Sequence, residues 1–142
     1  MLSLKICGLT TPETARYAVR QGAQYIGLLF SELSPRKIDL ATARAIADAV
    51  REVGGEPVGV FADEPLEEIE RISNALDLKI VQLHGDLPRK ACPHLPMAKI
   101  YVADGNPLPP CLDPERDFLL FEKQFQDPQG FRFFIADGLN AE

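Results

Sequence analysis

Apolar residues along this chain fall into short, nearly continuous runs, and between several of them the apolar positions repeat at the spacing of a helix. Runs at Leu2 to Ile6, Tyr25 to Phe30, Pro57 to Phe61, Lys79 to Leu83, Ala98 to Val102, Phe118 to Glu122 and Phe133 to Ala136 predict strands. Between the first two, Ala15, Ala18, Val19 and Gly22 predict a helix, with Thr10 and Glu13 as a capping box and Pro12 in the first turn. Leu40, Ala43, Ile46, Ala47 and Val50 repeat the pattern after Asp39, whose carboxylate can accept from the free N–H groups of a helix start. Leu66, Ile69 and Ile72 repeat it after the third strand.

Strand and helix in alternation predict an α/β fold built on a parallel sheet, whose strands are buried on both faces and so read as unbroken apolar runs. In such folds ligands collect beyond the carboxyl ends of the strands. The first run ends in Cys7-Gly8, which delivers a sulfur to that end of the sheet.

After residue 86 the regularity decays. Leu87 to His94 has room for a short helix, while Asp104 to Pro114 is rich in proline and reads as loop. Lys123 to Arg132 is ten residues long and contains the turn signal Asp127-Pro128-Gln129-Gly130. A parallel crossover with its helix needs at least about 10 to 12 residues, so no helix is expected after the sixth strand. Asn140 is a good N-cap with no helix after it.

The chain has 142 residues and a formal net charge of -6, one domain's worth of protein with an acidic balance. That charge argues against nucleic acid and anionic membrane surfaces as partners. No apolar run approaches the roughly 18 residues of a membrane span, and the N-terminus lacks a signal-peptide pattern, so a cytosolic protein is expected. Cys7, Cys92 and Cys111 are odd in number and irregularly spaced, which predicts three reduced thiols and no zinc site.

Five blocks together resemble the phosphoribosylanthranilate isomerase family. They are Lys5-Ile6-Cys7-Gly8-Leu9-Thr10, Gly27-Leu28-Leu29-Phe30 with Ser34-Pro35-Arg36, Val58-Gly59-Val60-Phe61, Val81-Gln82-Leu83-His84-Gly85-Asp86, and Ala136-Asp137-Gly138-Leu139-Asn140. The resemblance implies a (β/α)8 TIM-type barrel that performs the Amadori rearrangement of phosphoribosylanthranilate in tryptophan biosynthesis, with a small-molecule substrate and no metal or organic cofactor. Here residues 1–142 would form one incomplete barrel domain of about seven parallel strands, lacking the helix after strand six and the eighth βα unit.

Opening the ribose ring needs an acid at the ring oxygen, and moving the double bond needs a base at the adjacent sugar carbon. The resemblance makes Cys7 the base. A free thiol is only a few per cent thiolate at neutral pH, so Lys5 or Arg36 would be expected to assist it. The family's acid is an aspartate ending the sixth strand, where this chain has Glu122. The extra methylene moves the proton donor by more than about 1 Å, a misplacement that can cost on the order of a hundredfold in rate. Arg36 corresponds to the clamp on the anthranilate carboxylate, a task suited to a planar, permanently charged fork. Gln82, His84 and Gly138 are further expected substrate contacts.

The family's phosphate site uses glycine-rich loops after the sixth and seventh strands and an eighth strand. This chain has Asp127-Pro128-Gln129-Gly130, then Asp137-Gly138, and no eighth strand. A carboxylate such as Asp137 repels a dianion, so weakened phosphate binding is expected. Without an eighth strand, strands one and seven would be unpaired, leaving an open barrel or one closed by a second copy or a companion polypeptide. A non-catalytic remnant or binding module that keeps the anthranilate half of the site is the alternative function. Another phosphosugar-binding α/β domain would leave the cysteine, Ser-Pro-Arg and Gln-Leu-His-Gly blocks unexplained.

Overall fold

The computed structural model describes residues 2–102, 107–122 and 133–138; for residues 2, 121–122 and 133–138 it describes the backbone. Seven strands form one hydrogen-bonded ring: Leu2–Cys7 (β1), Tyr25–Leu29 (β2), Glu56–Phe61 (β3), Ile80–Leu83 (β4), Ala98–Val102 (β5), Phe118–Glu122 (β6) and Phe133–Gly138 (β7). β1 to β6 lie side by side in chain order, every neighbouring pair parallel. The fold is of TIM-barrel type, short of the eightfold barrel.

β7 corrects the expectation of seven parallel strands. It runs antiparallel to both neighbours, with Leu119 opposite Asp137 on one side and Leu4 opposite Ile135 on the other. Antiparallel strands accept a short connection, whereas a parallel return over the ten residues from Lys123 to Arg132 would leave no room for a helix. The expected gap between strands one and seven is therefore closed within the chain, with no second chain needed for the strand ring. Residues 123–132 and Asn140 lie outside the described residues.

Among the described residues four helices follow β1 to β4 in turn: Pro12–Arg20 (α1), Leu40–Glu52 (α2), Leu66–Leu76 (α3) and Asp86–Lys90 (α4), the last followed by a 3-10 turn at Cys92–His94. The cap of α1 is Thr11, one residue later than expected, and its Oγ1 accepts from the Thr14 N–H at 3.2 Å. Asp39 caps α2 as expected, accepting from the Thr42 N–H at 2.7 Å. The predicted apolar stripes face the sheet: Ala43, Ile46, Ala47 and Val50 of α2 and Ile69 and Ile72 of α3 are buried with Ile26, Leu28, Phe61, Val81 and Leu83, and the predicted Leu40 and Leu66 are partly buried against them. A second cluster, of Cys7, Val58, Ile80, Ile100, Val102 and Leu120, occupies the alternate strand positions and fills the barrel.

Cys92 and Cys111 form a disulfide with Cα atoms 6.5 Å apart, which corrects the expectation of three thiols. It ties the turn after α4 to the β5–β6 connection. The same sulfur of Cys92 lies 2.7 Å from the hydroxyl of Tyr101, whose burial pushes that hydroxyl's pKa up. Asp117 anchors the connection from its other end, accepting from the Lys99 N–H at 2.9 Å and the Asp113 N–H at 2.9 Å. Among the described residues no helix is long and apolar enough to cross a membrane.

Candidate active site

Cys7 is the last residue of β1, buried at 6% exposure, and is a free thiol. Alternation along a strand puts Lys5 on the same face, inside the barrel. Lys5 is fully buried, and its ammonium donates to Cys7 Sγ at 2.7 Å. A buried cation is costly unless its N–H groups find acceptors, and a sulfur that can carry negative charge is a strong one. The pair is thus a thiol held beside a positive charge in a place water does not screen.

Two glycines give this thiol its surroundings. Gly27 is its register partner on β2, and a methyl there would overlap Cys7 Sγ and approach Val60 Cγ2 to 3.1 Å. Gly8 follows at φ +86°, a conformation that costs other residues strain. A side chain at Gly8 would meet Arg36, with Cδ at 2.8 Å and a terminal guanidinium nitrogen at 3.0 Å. Arg36 therefore lies over the backbone just beyond Cys7. The Ser-Pro-Arg segment turns to bring it there: Ser34 Oγ accepts from the Arg36 N–H at 3.2 Å, and the Ile38 N–H returns to Leu29 O at 3.0 Å.

Gln82 stands on β4 between Val60 and Ile100, at 3% exposure. Its Oε1 is buried with no hydrogen-bond partner among the described residues. An acceptor left bare in this way costs free energy unless something that binds there satisfies it. His84, one residue beyond β4, is exposed and lines a cavity at that end of the barrel, its backbone N–H donating to Phe61 O at 2.8 Å. Glu122 ends β6 opposite Phe134, so its backbone is at the same rim as Cys7; its side chain lies outside the described residues.

Gly138 is not brought to the site. Because β7 runs antiparallel, its last residue pairs with Phe118 at the start of β6, and Asp137 pairs with Leu2 at the start of β1. Both backbones lie at the opposite rim from Cys7. Sequence reasoning also missed Arg89 and Lys90 beside the cavity; the only signal was their place in the last turn of a helix too short to show a period.

A buried thiol at the carboxyl ends of parallel barrel strands, beside an ammonium and an arginine, makes this rim of the TIM-type barrel the candidate active site. Residues 4–105 match the family model described as N-(5'phosphoribosyl)anthranilate (PRA) isomerase, and the chain belongs to that family. It is 44% identical over 94 residues to the N-(5'-phosphoribosyl)anthranilate isomerase of Chlamydia caviae, covering 66% of this chain and 46% of the relative. The crystal structure of the Thermotoga maritima phosphoribosyl anthranilate isomerase superposes with a TM-score of 0.65 at 34% identity, over 72% of this chain and 50% of that one. A phosphoribosyl anthranilate isomerase in complex with reduced 1-(o-carboxyphenylamino)-1-deoxyribulose 5-phosphate gives 0.62 at 34% identity, over 72% and 53%. The chain spans about half the length of the curated relatives it matches.

Proposed function

We propose that this chain catalyses the Amadori rearrangement of phosphoribosylanthranilate, with Cys7 as the base. The observation that carries the reading is the Lys5 ammonium 2.7 Å from the buried Cys7 Sγ at the carboxyl end of β1, a donor placed on the sulfur that would accept the proton. In this mechanism the glycosylamine's ring oxygen is protonated as the ring opens to the imine, the task assigned to Glu122. Cys7 then takes the proton from the sugar carbon next to the imine, and the electron pair moves to leave an enol that tautomerises to the ketose. Arg36, held over Gly8, clamps the anthranilate carboxylate beside the thiol. Gln82 and His84 contact the substrate from β4, and the bare Oε1 of Gln82 is an acceptor for a sugar hydroxyl. The relative that binds the reduced ribulose phosphate supports a ligand of this shape.

Steady-state consumption of freshly prepared phosphoribosylanthranilate by the full chain, followed through anthranilate-ring fluorescence, tests this. Turnover is expected, with Arg36→Ala raising KM by about 10- to 100-fold, the range for losing a charged hydrogen-bonded pair. A folded chain without turnover would contradict it. The second reading, a binding module that keeps the anthranilate half of the site, is favoured by the placement of Gly138 at the far rim. It predicts that anthranilate-type ligands bind, that Arg36→Ala weakens them, and that Cys7→Ala changes little.

A further inference from the structure

Gly138, an expected substrate contact, lies at the far rim. A cavity of about 760 Å³ opens where β4 ends, lined on one side by His84, Gly85, Asp86, Arg89 and Lys90 and on the other by Pro107, Pro109, Pro110 and Cys111. That is within the range of small-molecule sites, about 300 to 1,000 Å³. The Cys92–Cys111 disulfide ties the two sides together, and proline rings restrict the second.

Proline has no N–H, so the second wall offers an anion few backbone donors, and recognition falls to the side chains on the first. Arg89 Nε is buried and has no hydrogen-bond partner among the described residues, while a terminal nitrogen of the same guanidinium makes a long contact of 3.4 Å to Val102 O. Among the described residues neither Arg89 nor Lys90 takes part in an ion pair. Two unpaired cations and an imidazole donor thus face one cavity against a single carboxylate, Asp86. The guanidinium fork matches phosphate oxygens two at a time, and an ammonium adds a point charge.

We infer that this cavity is a phosphate-ester subsite, with Arg89 and Lys90 as its anion ligands and His84 as a further donor. It opens at the end of the barrel that carries Cys7 and Arg36, where β4 delivers His84. The inference rests on the isomerase reading for the identity of the ester. The cation cavity itself does not depend on turnover.

Calorimetric titration of the full, disulfide-bonded chain with inorganic phosphate and with ribose 5-phosphate tests it without the anthranilate ring. Saturable binding of both is expected, mutually competitive, and weakened about tenfold or more in Lys90→Glu and in Arg89→Gln. Lys90 is exposed, so its variant folds even if Arg89→Gln does not. Absence of saturable binding, or binding indifferent to Lys90→Glu, would overturn the subsite. Loss of turnover with phosphate binding intact would instead count against the isomerase reading alone.

Discussion

The ammonium of Lys5 donates to the sulfur of Cys7 across 2.7 Å inside the barrel, two residues apart on one face of β1. Replacing Lys5 with methionine keeps the stem and removes the charge. Because Cys92 and Cys111 are paired, an alkylating reagent meets one thiol, Cys7. Lys5→Met should slow its alkylation by iodoacetamide at pH 7 by roughly tenfold. An unchanged rate would mean the ammonium does not activate the sulfur.

Gly27 makes the space that Cys7 occupies. In Gly27→Ala the new methyl overlaps the sulfur, and overpacking of this kind costs about 1–3 kcal/mol. The variant should fold with a lower urea midpoint and lose turnover out of proportion to that loss, since the sulfur itself must move. Normal kcat in Gly27→Ala would show that the thiol's position is not critical.

The disulfide closes a loop between residues 19 apart, so Cys111→Ser should lower stability by roughly 3 kcal/mol if the cross-link acts by constraining the unfolded chain. The urea midpoint of the parent should fall to that of the variant on adding dithiothreitol. Thiol titration of the native, unreduced chain should find Cys7 alone.

Asp39 sets a pH signature. The Thr42 N–H donating to its carboxylate, with the Thr42 side chain adding to it, holds the pKa below its ordinary value of 3.8. A carboxyl depressed in the folded state contributes stability that is present above its unfolded value and is lost as the pH falls through the folded one. Asp39→Ala should therefore lower Tm at neutral pH, and its gap from the parent should shrink as the pH is taken from 7 toward about 2. Asp39→Asn, which can still cap, should lower Tm less.

Much of the barrel was legible because strands buried on both faces cannot hide: β1 to β6 each appear as an apolar run, and Asp39 announces α2. The direction of β7 was not, since an apolar run such as Phe133 to Ala136 carries no polarity of its own and only the shortness of the connection before it bears on direction. The spacing of Thr10 and Glu13 pointed to a capping box, but the backbone turns into the helix one residue later, at Thr11. Spacing could not pair Cys92 with Cys111, because a proline-rich connection folds back by a path that no period encodes. At the site, Cys7 and Arg36 were found through their motifs, and their meeting over Gly8 needed three dimensions. Arg89 and Lys90 looked like surface charges, and only the cavity distinguishes them.

If Cys7 takes the proton, its removal must show in kcat for phosphoribosylanthranilate consumption, measured for the full chain and for Cys7→Ala with the variant's fold checked by circular dichroism. Turnover in the parent is expected, with a fall in kcat of at least about a hundredfold in the variant, the contribution of a positioned base. Comparable kcat in the two proteins would contradict it.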